Sequence, residues 1–187
     1  MTDPHPDPSR IGLLGGECTG KSTLARALAE DLPGCLVGEA VRDFVARHGR
    51  PPRVDEQAAV FAEQAAREEA SAERCSRSVV IADPAPLMTA VYSVLYFGDD
   101  SLLSAGADHA SGYDLLVWCA PDLPWSADEG MRDGPDFRDG AETILAWVVG
   151  DLLQPRGIPV LRVVGNVTTR LAAVRRAWQP RASTPPT

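Results

Sequence analysis

The chain has 187 residues, 44% of them apolar and 24% charged, and its 18 basic residues face 26 acids for a formal charge of -8 at pH 7. Such proportions describe an ordinary soluble domain, and the clustered positive charge that marks nucleic-acid and anionic-membrane binders is missing, so neither is an expected partner. Seventeen of the basic residues are arginines; Lys21 is the one lysine.

No apolar run approaches the roughly 18 to 20 residues of a membrane-spanning helix. Met1 to Arg10 has no apolar signal core, and a cytoplasmic protein is expected. Cys18, Cys35, Cys75 and Cys119 are widely spaced without a Cys-x-x-Cys, which predicts four free thiols. Prolines crowd both ends, so 1–9 and 179–187 read as disordered tails around one domain at 10–178.

In chain order, the first strand is expected at Ile11 to Leu14, followed by Gly15-Gly16-Glu17-Cys18-Thr19-Gly20-Lys21-Ser22. This matches the G-x-x-x-x-G-K-[ST] phosphate loop without a mismatch, between a strand and a helix. Glycines let the backbone curl its N–H groups toward phosphate oxygens, and the following helix adds its positive end. Lys21 is expected on the β- and γ-phosphates of ATP and Ser22 on Mg²⁺, with Thr23 next to it. Cys18 sits where loop amides and a helix N-terminus favour thiolate.

A helix at Lys21 to Asp31 leads to a strand at Cys35 to Val37, then Gly38-Glu39-Ala40-Val41-Arg42 and a helix at Ala40 to His48. Glu39 at a strand exit is a candidate base, with Arg42 three residues on to hold a phosphate. The structural alternative is a helix start in which Glu39 favours the dipole and pairs with Arg42. A long helix at Asp55 to Arg77 carries Gln64, a candidate substrate contact.

The run Val79-Val80-Ile81-Ala82-Asp83 is four apolar residues and an acid, the pattern whose Asp binds Mg²⁺. An N-cap is the alternative, since Asp83 precedes Pro84. A helix at Leu87 to Phe97 and a strand at Leu115 to Cys119 follow. From 121 to 140 the chain is dense in turn formers and charge, a lid that would exclude water and bring Arg132 and Arg138 onto phosphate. Trp125 offers a flat face to a base or pyridine ring. A helix at Ala141 to Leu153, a strand at Val160 to Val164 and a helix at Thr168 to Trp178 complete the chain. Asn166, with Arg170 beyond it, stands where an adenine ring is often contacted. Trp118, Trp147 and Trp178 read as core, and His5, His48 and His109 as surface. Continuous apolar strands alternating with helices predict an α/β fold: a five-stranded parallel sheet with helices on both faces, in three layers.

These residues resemble the P-loop kinases that phosphorylate nicotinamide riboside, and the related AAA-type ATPase family. The resemblance rests on Gly-Gly-Glu-Cys-Thr-Gly-Lys-Ser-Thr at 15–23, Glu39-x-x-Arg42, Asp83 with Pro86 and Thr89, Tyr92 to Gly98, and Pro124-Trp125-x-x-Asp128 before Arg132-Asp133-Gly134-Pro135. It implies a nucleoside-kinase-like P-loop fold, Mg-ATP as donor, a riboside 5′-hydroxyl as acceptor and Asp128 in the acceptor site. The chain departs from that family at Asp83-Pro84-Ala85, where Asp-Thr-Asp or Asp-Thr-Thr is common, and at Glu129, where glycine usually follows the lid aspartate. The adenylyltransferase domain of larger relatives is not expected in these 187 residues. The expected function is an ATP-dependent small-molecule kinase for nicotinamide riboside or another nucleoside, with a homodimer left open. The alternative is a P-loop ATPase acting as a nucleotide-gated regulator or partner-binding module.

Overall fold

A strand that is apolar on both sides has to be covered twice. The computed structural model, which describes residues 8–75, 79–126 and 134–178, does this with five parallel strands in the order β2-β3-β1-β4-β5. They are β1 (Ser9–Leu14), β2 (Gly34–Val37), β3 (Val79–Ala82), β4 (Leu115–Cys119) and β5 (Val160–Val163). The expected three-layer α/β architecture is the one observed.

Successive side chains enter opposite cores. Ile11, Leu13, Val79, Ile81, Leu115 and Val117 pack with Leu24 and Leu28 of α1 (Lys21–Asp31) and Val174 of α7 (Val167–Ala177). Leu14, Ala82, Leu116 and Trp118 face the other way, under α4 (Leu87–Phe97), α5 (Leu103–Ala110) and α6 (Pro135–Trp147). Leu13, Leu14, Leu24, Leu28 and Leu116 are all fully buried, each worth about 1.5–3 kcal/mol relative to an exposed side chain. At the β2 edge lie α2 (Ala40–His48) and α3 (Gln57–Arg74), the latter packed on β2, β3 and α4.

Several expectations need correction. α5 was not among the expected helices. Its Gly106 permits close packing: a Cβ there would lie 2.7 Å from Leu87 Cδ1 on α4. α6 begins at Pro135, after Gly134 at φ 110°, so 135–140 is helix rather than lid. The expected Ala141 to Leu153 helix splits into the end of α6 and a π-helical segment, Val148–Leu153. Trp147 is 46% exposed rather than core: Ala141, Leu145 and Val148 form the inward stripe, and Trp147 points off it. α3 is preceded by a 3-10 turn at Val54–Glu56 and ends at Arg74. β1 starts at Ser9, inside the expected tail; the rest of that tail up to 7, and 179–187, lie outside the described residues. Among the described residues no helix is long and apolar enough to cross a membrane.

His109 is half-buried rather than on the surface, edge-on to Phe61 and Tyr113. It lies 3.9 Å from Glu68, which is 1% exposed and accepts a 2.6 Å hydrogen bond from Tyr113. Burial pushes the Glu68 carboxyl up to about 8, against the pull of Tyr113 and Arg10 in the other direction, and burial lowers His109. Folded Glu68 therefore keeps a proton that the unfolded chain releases near 4.5, so its contribution to stability is complete below that value and is lost as pH rises to about 8. Over that interval, urea denaturation should show the stability advantage of Glu68→Gln over the unaltered protein growing by up to about 1.4 kcal/mol per pH unit. An unchanged difference would contradict this protonation state.

The cysteine expectation also fails. Cys35 of β2 is disulfide-bonded to Cys75, which caps α3 from 40 positions away, while Cys18 and Cys119 are free thiols. No local motif signals a bond that depends on α3 returning to the sheet edge. Thiol titration of the denatured, unreduced protein should find two reactive groups, rising to four after reduction.

Candidate functional site

The phosphate loop joins β1 to α1, and its shape follows from three backbone positions. Gly15 and Gly20 have φ of 139° and 79°, and Cys18 between them adopts φ 54°. Space matters as much as angle. A Cβ on Gly15 would stand 2.8 Å from both Cys119 O and Thr19 Oγ1, and one on Gly16 3.2 Å from Arg138 O in α6. Met88 Sδ accepts from the Gly15 N–H, and Thr19 Oγ1 donates to Gly16 O at 2.8 Å.

Lys21 opens α1, and its Nζ donates to Gly16 O at 2.6 Å. Burial lowers the affinity of its amine for the proton, while the negative charges of Glu39, Asp83 and Glu17 act in the opposite direction. Glu39 and Asp83, from two separate strand exits, thus both lie close enough for their charge to act on the lysine. Ser22 is half-buried beside it and Thr23 is exposed. Cys119, at the end of β4, is held protonated by burial, which raises its thiol to about 11.

Asp83 is 9% exposed. Its N–H donates to Val37 O and that of Ala85 to Leu13 O, so the β3 exit is tied to both neighbouring strands. α4 starts only at Leu87 with Pro86 as its cap residue; the N-cap alternative for Asp83 is thereby removed.

Glu39 does occupy the cap position of α2, without a capping side-chain bond, and accepts from Arg42 Nε at 2.8 Å. The structural pairing and the proximity to Lys21 hold at once. Arg42 is mostly exposed. Gln64 is 3% exposed, and its Oε1 accepts from Ala40 N at 2.7 Å while its Nε2 donates to Gly38 O at 3.3 Å. Both ends of its amide grip the turn that carries Glu39.

The root of the lid lies against the phosphate loop. Cys18 Sγ donates to Ser126 O at 3.2 Å, and Arg138 Nη1 donates to Leu123 O at 3.0 Å. Trp125 Nε1 is buried with no hydrogen-bond partner among the described residues. Asp128 and Arg132 lie outside the described residues. Asn166 caps α7, its Oδ1 accepting from Thr169 N.

Sequence reasoning missed Asp122 altogether and misjudged Arg170, which is 1% exposed. Arg170 Nη1 donates to Thr19 O, and Nη2 donates to Ala120 O and Asp122 Oδ1; Asp122 Oδ2 accepts from Gly165 N. Partial burial raises the Asp122 carboxyl, but the Gly165 N–H and Arg170 outweigh it and hold that carboxyl below its ordinary value. Arg170 is 151 positions from Thr19 and 48 from Asp122, beyond any local pattern.

A family model described as AAA domain matches residues 10–170. No curated protein matches the chain. Among solved structures, NadR protein in complex with NR superposes with a TM-score of 0.71 at 17% identity, over 95% of this chain and 54% of that one. The chain thus spans about half the length of that protein. Thymidylate kinase from Ehrlichia chaffeensis gives 0.66 at 15% identity, over 93% and 100% of the two chains. Deoxyadenosine kinase from M. mycoides gives 0.64 at 11%, over 90% and 97%. The shared feature is the P-loop kinase fold. Since a Gly15 side chain meets backbone at 2.8 Å, Gly15→Ala should lower the melting temperature of the ligand-free protein by several degrees. An unchanged melting temperature would show that the loop tolerates the added methyl.

Proposed function

We propose that this chain, which belongs to the AAA domain family, is an ATP-dependent kinase that transfers the γ-phosphate to the 5′-hydroxyl of nicotinamide riboside or another nucleoside. The observation that carries this reading is an intact phosphate loop whose Lys21 lies within the electrostatic reach of the Glu39 and Asp83 carboxylates. Phosphoryl transfer needs little covalent chemistry from the protein; it needs positioned charge and an oriented nucleophile. Those two carboxylates beside a phosphate-binding lysine supply the elements of both.

In this reading the amides from Gly15 to Lys21 and the Lys21 ammonium hold the triphosphate, with Glu17, Cys18, Thr19, Gly20 and Thr23 completing the cradle. Ser22 and Asp83 offer hard oxygen donors, which suit Mg²⁺ bound through one or two protein oxygens plus phosphates. Among the described residues no group of three or more His, Cys, Asp or Glu is arranged to hold a metal, and this mode of binding requires none. When bound, Mg²⁺ supplies charge neutralisation on the phosphates.

With Asp83 assigned to the metal, Glu39 is the remaining carboxylate for the acceptor hydroxyl. Gln64 serves that base by holding the Gly38–Ala40 turn. Arg42, already on Glu39, would neutralise charge as the phosphoryl group moves. The Trp125 Nε1, buried without a hydrogen-bond partner among the described residues, supports a role for this side chain at the acceptor. Arg132 and Asp128 belong to the lid in this reading, Arg138 to the start of α6 beside it, and Asn166 to the edge of the adenine site. The NR named with NadR, and the nucleoside and nucleotide kinases of the same fold, support a nucleoside acceptor.

The test is incubation with Mg-ATP and a panel of ribosides, read by mass spectrometry. Addition of a phosphoryl group to nicotinamide riboside or another nucleoside is expected. ATP consumed without a phosphorylated acceptor would favour the nucleotide-gated ATPase instead. Lys21→Arg keeps the net charge but replaces a compact ammonium by a planar fork, and should lower turnover on the order of a hundredfold or more.

A further inference from the structure

Arg170 stands on the first turn of α7 and is almost wholly withdrawn from solvent. A buried guanidinium is tolerated where its donors meet acceptors; here Nη1 and Nη2 meet acceptors from separate parts of the chain, while Nε is buried without one among the described residues. Nη1 reaches the Thr19 carbonyl in the phosphate loop; Nη2 reaches Ala120 O at 3.1 Å and Asp122 Oδ1 at 2.5 Å, just past β4. Asp122 accepts in turn from Gly165 N, just past β5, at 2.5 Å. One cation and one carboxylate therefore tie the phosphate loop, the root of the lid and the β5–α7 turn into one unit.

The bond to Thr19 has a directional consequence. In a trans peptide the carbonyl and the next N–H point in opposite directions. With the Thr19 carbonyl held by Arg170, the Gly20 N–H faces away from it, at the amino end of α1, where N–H groups serve phosphate oxygens. Gly20 lies close against its neighbours: a Cβ there would lie 2.9 Å from Leu123 Cδ1 and 3.4 Å from Arg170 Nη1.

We infer that Arg170, oriented by Asp122, is a positioning residue for triphosphate binding, fixing the Thr19–Gly20 peptide of the phosphate loop rather than contacting the adenine ring. The inference rests on the proposed ATP site. A lysine cannot substitute, because a single ammonium does not span acceptors on both sides of a planar fork.

Calorimetric titration of the unaltered protein, Arg170→Lys and Asp122→Asn with Mg-ATP and with inorganic tripolyphosphate plus Mg²⁺ separates the outcomes. Ligand-free melting and circular dichroism establish that each variant is folded. Asp122→Asn retains the buried arginine and carries the test if Arg170→Lys does not fold. Both ligands should weaken in parallel, on the order of tenfold or more, as expected for loss of a charge-assisted hydrogen bond. A merely structural role would lower the melting temperature and leave the affinities of the folded protein unchanged, which would overturn the inference. Weakening of ATP with tripolyphosphate unaffected would also overturn it, by moving Arg170 to the base. Absence of binding of either ligand by the unaltered protein would overturn the ATP-site reading, and this inference with it.

Discussion

A pair of parallel strands cannot be closed by a tight turn; each must be reached by a crossover that returns to the same end of the sheet. With five parallel strands, all five exits open on one edge. β1 lies between β3 and β4, so the chain departs to one side for β2 and β3 and to the other for β4 and β5. That edge is where open α/β sheets bind ligands. Gly15, Glu39, Asp83, Asp122 and Gly165 are distant in the chain and follow five different strands. The site depends on this topology before it depends on any one side chain.

Crowding at the edge explains why glycine recurs there. Gly15 fits under the Cys119 carbonyl and Gly16 against α6, where a methyl group would meet backbone atoms. The loop is shaped by its neighbours as well as by its own dihedral angles. Charge is apportioned with equal economy. The flexible, compact ammonium of Lys21 is the group on which the charges of Glu39, Asp83 and Glu17 act, a task suited to a point charge. Arg170 divides its planar fork between backbone carbonyls and a carboxylate, a task suited to fixed geometry. In a chain with seventeen arginines and one lysine, the two residue types are used for different physical reasons.

A second polar group does unrelated work away from the phosphate loop. Glu68 of α3, Tyr113 before β4 and His109 of α5 meet where Arg10 of β1 is bonded to Glu69 and Asp114. Burial favours the neutral forms of Glu68 and His109, so this region joins three elements with few net charges to desolvate. The Cys35–Cys75 bond adds a covalent tie between β2 and the end of α3. α3 also carries Gln64, so the element that anchors the sheet edge supports the Glu39 turn as well.

The fold class, the strands, most helices and the phosphate loop were legible in the sequence because each is a local pattern. Apolar runs such as Val79 to Ala82 and Leu115 to Cys119 mark doubly covered strands, and the glycine–lysine spacing encodes a backbone shape. What was misread depended on close approach between distant segments: Gly106 against Leu87, Cys35 against Cys75, His109 between Phe61 and Tyr113. Gln64 was legible as a polar residue on an alanine-rich helix, but its partner, the turn at Gly38 to Ala40, is set by how α3 packs on the sheet. By itself, then, the sequence determined a five-stranded α/β domain with a phosphate-binding loop, since periodicity and glycine placement act within a few residues. Only the tertiary structure decided that Glu39 and Asp83 share the field of Lys21, and that Arg170 braces the loop from behind. Those relations arise from three-dimensional proximity between strand exits, and no spacing along the chain encodes them.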